Sequence, residues 1–383
     1  MDAGEPGTTR ALLDAVDRMM ARHLPREEVR RRDAAHDPPM HLLPLWGGMG
    51  LLGLAVPERY GGSAEGTADW NTLSLIQERL GWHGFMAAAL FNRAVCFGAM
   101  SFLSYGSEEQ KRRFLPEIVA GRMSIALALT EPQAGSDAGA LTTRAERVAG
   151  GWRITGRKTW ISGAESAAFL VTPCRTEKGT TGSRGVTLFL VPPDAPGIAM
   201  TKLAKLGNHC SLSWDIGFDG VFVPDDARFG GEGDGFRNLM TTLHFARSGV
   251  AAAVAGVAQA AVEEALAHAK ARVQFGRPVG AFQAIAHRLA DMQTDVDLAR
   301  LMARDLAARI TRGEECRLQA AQAKLVSTET LKRVTEHGMQ IMASAGYADG
   351  SDMQRYFRDA RLYTFGEGSS EIQRDLIARE IGL

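Results

Sequence analysis

Glu367 lies between two glycines, Gly366 and Gly368, near the C-terminal end of the chain. Flanking glycines leave the backbone free on both sides, so the carboxylate can be directed at a ligand. Ser370 and Gln373 follow with the spacing of a capping box, which predicts that a helix begins there. A carboxylate on a tight turn before a helix suits a general base that removes a proton from a substrate carbon. A solvated loop glutamate is the alternative interpretation of this segment alone.

Two further segments could bind a flat, polar ligand. Residues 129–137 follow a predicted strand and offer backbone N–H groups with the hydroxyls of Thr130 and Ser136. An ordinary Pro-Gly turn is the alternative for this segment. Residues 158–162 end a second predicted strand with the indole of Trp160. That ring could stack on a flat cofactor, although core tryptophans are more common.

Arg272 lies at the boundary between two predicted helices, in the segment 272–278. Its planar guanidinium group suits a phosphate. An arginine that faces the carbonyl groups of its own helix end is equally compatible with the sequence.

The composition is ordinary for a globular protein. The chain has 383 residues, of which 45% are hydrophobic and 23% charged, and this length predicts two or three packed units. Lysine plus arginine and aspartate plus glutamate both number 44, so no overall charge attracts nucleic acid or an anionic membrane. We therefore expect neither as a partner.

The sequence also predicts a cytoplasmic protein. No apolar run reaches the length of a membrane span, and the longest candidate, residues 250–262, contains Gln259. Residues 1–5 lack the basic and apolar regions of a signal peptide. The cysteines are scattered, with no paired spacing for zinc or redox chemistry, and indicate free thiols in a reducing compartment: Cys96, Cys174, Cys210 and Cys316.

Hydrophobic periodicity divides the chain into three zones, which we predict as domains 1–122, 123–229 and 230–383. The first has helical periodicity, as in residues 10–20 and 70–80. The second has short alternating segments typical of β-strands, at residues 124–130, 152–160, 185–191 and 214–223. The third returns to helical periodicity in long alanine-rich segments, at residues 236–271, 281–311 and 315–344.

Two glycine-rich stretches resemble phosphate-binding loops in composition but lack the features that such loops need. Residues 48–53 have the dinucleotide spacing, but that fingerprint needs a preceding strand and a following helix. Prolines flank the stretch here, so we predict a loop or a helix end. Residues 230–235 carry two carboxylates that would repel a phosphate, and we predict a turn. The metallohydrolase and serine-hydrolase signatures do not occur, and we expect no metal site.

Taken together and in this order, the segments closely resemble the acyl-CoA dehydrogenase family over residues 51–383. Further matching segments are 105–111, 197–207, 358–360 and 365–373. The resemblance implies an α+β multi-domain fold with an N-terminal helical domain, a central β-barrel-like domain and a C-terminal four-helix bundle. It also implies a bound FAD that two chains enclose, and hence a homodimer or homotetramer.

The resemblance assigns roles residue by residue. It implies that Glu367 removes the α-proton of an acyl thioester while the β-hydride passes to flavin N5, giving a trans-enoyl thioester. Arg247, Ser136 and Gly368 would contact the substrate. The isoalloxazine and ribityl side of FAD would be lined by Thr130, Ser136, Trp160 and Ser162, with backbone contacts from Leu127 and further contacts from Ser369 and Glu371. The pyrophosphate and adenine side of a neighbouring chain's FAD would be reached by Arg272, Phe275, Gln283 and Gln340.

The chain departs from the family pattern near the predicted base. Gly366 stands where the family usually has tyrosine, and Ser369 where it usually has threonine, so both side chains are smaller and could enlarge the acyl pocket. His244 replaces an acidic residue three positions before Arg247. Ala246 offers no carboxylate at the place where some members carry their base. The segment 343–346 departs from the usual glycine-rich loop, which weakens the predicted adenine contacts.

Several alternatives stay open from the sequence. The thioester could belong to coenzyme A or to an acyl carrier protein of a secondary-metabolite pathway, and electron-transfer flavoprotein or a similar protein would take the electrons. The second hypothesis is an oxygen-using flavin oxidase on the same scaffold, and the presence of Glu367 argues against it. A third is a non-catalytic partner subunit.

Overall fold

The computed structural model describes residues 7–65 and 68–383, so the prediction for residues 1–5 lies outside it. The N-terminal part is helical. Its helices are α1 Gly7–His23, α2 Arg26–Ala35, α3 Leu42–Gly48, α4 Trp70–His83, α5 Phe85–Asn92, α6 Met100–Tyr105 and α7 Glu108–Val119, with a π-helical segment Arg93–Ala99 joining α5 to α6. The predicted helices at residues 10–20 and 70–80 fall inside α1 and α4. The glycine-rich stretch 48–53 is the end of α3 and a short 3-10 turn, as predicted.

The central part is one sheet. Its strands are β1 Ile125–Leu127, β2 Arg144–Val148, β3 Gly151–Ser162, β4 Phe169–Arg175, β5 Val186–Val191, β6 Ile198–Leu203, β7 Ser213–Pro224 and β8 Arg228–Phe229. The strand order is β6-β7-β3-β2-β4-β5-β8, and β1 pairs with β4. Among the described residues β8 and β6 do not pair, so the barrel-like sheet is open. All four predicted strands exist, whereas β2, β4, β6 and β8 lie outside the predicted segments.

The C-terminal part is again helical. Its elements are α8 Gly235–Ala271, the hairpin β9 Val273–Gln274 and β10 Arg277–Pro278, α9 Gln283–Thr311, α10 Arg317–Met342, α11 Ser344–Tyr347, α12 Asp352–Tyr363 and α13 Ser370–Glu380. The three long predicted helices correspond to α8, α9 and α10. The glycine-rich residues 230–235 lead into α8 as a turn, as predicted.

Helix α8 is the central element of the helical core, and it packs tightly against α4. A methyl group on Gly256 would lie 2.0 Å from the carbonyl oxygen of Glu78, and one on Gly81 would lie 2.1 Å from that of Ala253. Glycine is therefore required at these contacts, because the two backbones touch. Arg247, on the same helix, lies close to the turn after α12.

Two helical stretches are long and apolar enough to cross a membrane, Phe85–Tyr105 and Gly235–Ala271. The sequence expectation that no such stretch exists was therefore too strict. In both, 78% of the apolar window is buried inside the protein, which is the pattern of core helices.

Candidate active site

Glu367 lies on the short turn between α12 and α13, and its backbone has a left-handed φ of 57°. The turn is closed by two hydrogen bonds: Gly366 N–H donates to the Leu362 carbonyl at 2.7 Å, and Ser370 N–H donates to the Thr364 carbonyl at 2.8 Å. A left-handed conformation is uncommon for a residue with a side chain and costs free energy. The surrounding contacts hold this turn in a fixed shape.

Helix α13 begins where predicted, but the predicted capping box of Ser370 and Gln373 is wrong. Ser369 is the N-cap, and its hydroxyl accepts from Ile372 N–H. The Ser370 hydroxyl donates to Glu329 at 2.6 Å, and the Gln373 amide donates back to the Gly368 carbonyl at 3.0 Å. The cap is therefore one residue closer to Glu367 than the spacing indicated.

Glu367 is half-buried as a residue, and one of its two carboxylate oxygens is fully buried. Its Oε2 atom is inaccessible and has no hydrogen-bond partner among the described residues. Burial raises the pKa of Glu367 to about 7, against the opposing effects of the positive charges on Lys324 and Arg247. Burial, with a smaller contribution from Glu367, also raises the pKa of the Cys96 thiol on the π-helical segment. A carboxyl group with a pKa near neutrality is suited to general base catalysis.

Arg247 is the second buried charge at this site. Its Nε atom has no acceptor in the described part of the chain, and a methyl group on Gly368 would lie 3.6 Å from its Nη2. The predicted substrate residues Arg247 and Gly368 are therefore neighbours of Glu367. Burial, and then the charge of Arg247, lower the pKa of His244 to about 4. His244 is therefore neutral at pH 7 and does not restore the acidic charge usual at its position.

The predicted flavin-binding residues of the sheet form a second surface of the candidate site, the predicted flavin face. Thr159 N–H donates to the Thr130 carbonyl at 2.9 Å, which joins the two predicted loops. Trp160 has a left-handed φ of 59°, and its side chain is 54% exposed. Ser136 and Ser162 are also exposed, and Leu127 on β1 is half-buried.

This face fits a flavin. A large indole held outwards by an unusual backbone conformation offers a flat apolar surface, and hydroxyl groups flank it. Nearby, a methyl group on Gly163 would meet the guanidinium of Arg93. The Nε atom of Arg93 is buried without an acceptor among residues 7–65 and 68–383. The structure thus leaves both a stacking surface and an unpaired donor beside the predicted position of FAD.

Asn208 connects helix α12, which precedes the Glu367 turn, to the part of the chain that forms the sheet. Its N–H donates to Asp359 Oδ1 at 2.6 Å, and the Tyr363 hydroxyl donates to its Oδ1 at 2.9 Å. Because Tyr363 ends α12 just before the Glu367 turn, this contact fixes the turn relative to the sheet.

The remaining predicted residues lie apart from Glu367. Phe275 is 93% exposed on the β9–β10 turn, and Arg272, Gln283 and Gln340 are exposed too. Within the described chain, no hydrogen bond or ion pair joins these four to the Glu367 turn. Exposure on one chain is compatible with their predicted contacts to a neighbouring chain's FAD, which stay a prediction. Glu371 is exposed beside Ser369, and the N–H of its own backbone and then the Ser369 hydroxyl lower its pKa.

Sequence reasoning missed Lys324 and Asn208. Lys324 lies in the alanine-rich, buried part of α10 next to Ala323. A lysine directly after the alanine-rich residues 320–323 was the available signal. Asn208 gave no comparable signal, because its contacts to Asp359 and Tyr363 depend on the fold.

Three family models match the chain in order. They are described as the acyl-CoA dehydrogenase N-terminal domain, over residues 7–122, the middle domain, over residues 126–221, and the C-terminal domain, over residues 233–382. Together they account for most of the chain.

Individual relatives agree with these models. A probable acyl-CoA dehydrogenase of Bacillus subtilis is 36% identical, covering 90% of each chain. The solved structure of butyryl-CoA dehydrogenase from Megasphaera elsdenii superposes with a TM-score of 0.94, at 31% identity and with 100% of both chains covered. The prolyl acyl carrier protein oxidase AnaB superposes with a TM-score of 0.93, at 25% identity, covering 99% of this chain and 100% of that one.

Proposed function

Because this chain belongs to the acyl-CoA dehydrogenase family, we propose that Glu367 is the base with which it removes the α-proton of an acyl thioester. The protein is an FAD-dependent acyl-thioester dehydrogenase, an oxidoreductase that acts on CH–CH groups. The observation that carries the role of Glu367 is its carboxyl group, which has one buried oxygen without a hydrogen-bond partner among the described residues and a pKa of about 7. FAD, when bound, supplies the acceptor for the two electrons that leave the substrate.

The residues around Glu367 support α-proton removal. A thioester α-proton is weakly acidic, so the charge that develops on the thioester oxygen must be met by donors already in place. Among the described residues, the backbone N–H of Glu367 donates to no acceptor, and it is therefore available to that oxygen. Arg247, whose guanidinium group lies next to Gly368, adds a buried positive charge near the Glu367 carboxylate. The removed proton stays on the Glu367 carboxylate.

The finer assignments are part of the proposal. We infer coenzyme A or an acyl carrier protein as the thioester carrier, and electron-transfer flavoprotein or a similar protein as the electron acceptor. The exposed Phe275 hairpin supports a homodimer or homotetramer in which a neighbouring chain completes each FAD site. A cytoplasmic location agrees with four cysteines that are all free and buried.

Anaerobic reduction of the bound flavin tests the proposed function. We expect a yellow holoprotein whose flavin absorbance bleaches when an acyl thioester is added without oxygen, with enoyl thioester as the product. A series of coenzyme A and carrier-protein thioesters identifies the carrier. Failure of every thioester to bleach the flavin would contradict the proposal, and rapid peroxide release in air would favour the oxidase reading.

The rate of flavin reduction should rise with pH through the pKa of Glu367. Only the deprotonated carboxylate accepts a proton, and burial raises its pKa to about 7. Below that value the rate should fall about tenfold per pH unit, and above it the rate should level off. Stopped-flow flavin reduction at a saturating concentration of thioester, repeated across a pH series, gives the midpoint of the pH profile for the enzyme–thioester complex. A rate that is flat between about pH 5 and pH 8 would contradict the assignment of Glu367.

A further inference from the structure

Lys324 is a fully buried lysine on α10 whose ammonium group binds backbone rather than a carboxylate. Its Nζ donates to the carbonyl of Tyr363 at 2.7 Å and to that of Gly368 at 2.8 Å. In the described part of the chain it forms no ion pair. A buried charge without a paired counter-charge is costly, so its retention calls for a specific explanation.

The two carbonyl groups lie at the two ends of the Glu367 turn. Tyr363 is the last residue of α12, and Gly368 directly precedes Ser369, the N-cap of α13. The carbonyls of Leu362 and Thr364 are satisfied by N–H groups of the turn region itself. The carbonyl of Tyr363 accepts from Lys324, and that of Gly368 accepts from Lys324 and from the side-chain amide of Gln373. Lys324 is therefore the one side chain that donates to both carbonyls among the described residues.

Lys324 also dominates the positive charge that Glu367 experiences. Of the two effects that oppose the burial of Glu367, the charge of Lys324 is larger than that of Arg247. The other titratable groups that face Glu367 are the buried Cys96 thiol on the π-helical segment and the buried Tyr363 phenol on α12. Both are neutral at pH 7, because burial raises their pKa values well above the ordinary range.

The surroundings of Lys324 keep it charged at neutral pH. Burial lowers its pKa to about 8, and Glu367 counteracts this more strongly than Glu329 and Glu371 do. Arg247 contributes in the same direction as burial. At pH 7 most molecules therefore carry the ammonium group that both carbonyls need.

We propose that Lys324 is a positioning residue for catalysis: one ammonium group fixes both ends of the turn that aims Glu367 and places a positive charge near its carboxylate. The inference rests on the proposed function of Glu367 as the base. It assigns two separable contributions to Lys324, one of hydrogen bonds and one of charge.

Three variants separate these contributions. Lys324→Met removes both, Lys324→Gln retains an N–H donor without the charge, and Lys324→Arg retains charge and donors. Lys332→Met is the matched control, because Lys332 is a partly exposed lysine on the same helix, 3.9 Å from Glu329. For each holoprotein we would measure FAD content, thermal midpoint and the pH profile of anaerobic flavin reduction by one thioester.

In Lys324→Met, the midpoint of the pH profile should move upwards by about one unit or more, because a nearby opposite charge is lost. The plateau rate per bound FAD should also fall by about 10–100-fold, because the base is no longer held in place. Lys324→Gln should recover part of the plateau rate but keep the raised midpoint, and Lys324→Arg should restore both in part. Lys332→Met should have the same midpoint and the same plateau rate as the wild-type protein.

An unchanged midpoint and plateau rate in Lys324→Met, with only a lower thermal midpoint, would reduce Lys324 to a structural residue and overturn the inference. If Lys324→Met does not fold, the midpoint in Lys324→Gln decides in the same way. Glu367→Gln is measured in parallel. Rapid flavin reduction by that variant would refute the proposed base itself, whereas a slow Glu367→Gln with normal Lys324 variants would refute only the positioning role.

Discussion

Glu367→Gln should bind FAD normally and lose anaerobic flavin reduction by a factor of about 10²–10⁴, the usual contribution of a general base. Glutamine has nearly the same shape and can occupy the turn, but it cannot accept the α-proton. Because the Oε2 atom of Glu367 has no partner among the described residues, no existing hydrogen bond is broken. Stopped-flow flavin reduction by a thioester, normalised to bound FAD, measures the loss.

Glu380→Gln provides the control for Glu367→Gln. Glu380 ends α13 and is exposed, so its substitution removes the same charge from the same region without affecting the enclosed site. We expect its reduction rate to equal that of the unchanged protein. Near-normal bleaching in Glu367→Gln would assign the base to another residue.

The helices were predictable from the sequence because their signals are local. Helices α8, α9 and α10 combine 3.6-residue periodicity with many alanines, and they begin within two residues of the predicted starts. The strands were only partly predictable. Strand β2 exposes most of its charged side chains and β4 contains Pro173, so neither shows the alternation expected of a strand.

The sequence indicated residues of the candidate site such as Glu367 and Arg247, but it did not indicate their pKa values or the hydrogen bonds that position them. Glycines around Glu367 indicated an aimed carboxylate, and the structure places Arg247 beside it. The pKa of Glu367 depends on burial by elements far apart in the sequence, and on Lys324, whose target carbonyls lie in another helix and a turn. Hydrogen bonds to backbone carbonyls leave no residue-type signature, so the lysine in the alanine-rich part of α10 gave no indication of the groups that it contacts.

Removal of one partner of the buried ion pair between Lys158 and Glu131 should strongly destabilise the sheet. The two charged atoms are 2.8 Å apart, with side-chain exposures of 0% and 1%. Glu131 also accepts from Thr142 N–H at 2.7 Å and Thr143 N–H at 3.0 Å. The pair thus joins the Thr130 loop to β3, the strand that contains Trp160. These are the two parts of the predicted flavin face.

Lys158→Met should lower the free energy of unfolding by about 3–5 kcal/mol, because it leaves the Glu131 charge buried and unpaired. It should also weaken FAD retention. Chemical denaturation followed by circular dichroism, and the FAD content after gel filtration, measure the two effects. Arg157→Met is the matched control on the same strand: Arg157 pairs with Asp215 at 2.7 Å but is 65% exposed, so its loss should destabilise the protein much less than the loss of Lys158.

The pH dependence of stability distinguishes a lost ion pair from lost packing. Burial alone would raise the pKa of Glu131, but Lys158 and the hydrogen bonds outweigh it and lower the pKa to about 2. In the unchanged protein this carboxylate therefore contributes stability above its ordinary pKa of 4.5, which is lost as the pH falls towards 2. In Lys158→Met, burial acts unopposed by the lysine and raises the pKa, so acid should partly relieve the destabilisation. A deficit that is equal at about pH 5 and about pH 8 would indicate lost packing instead.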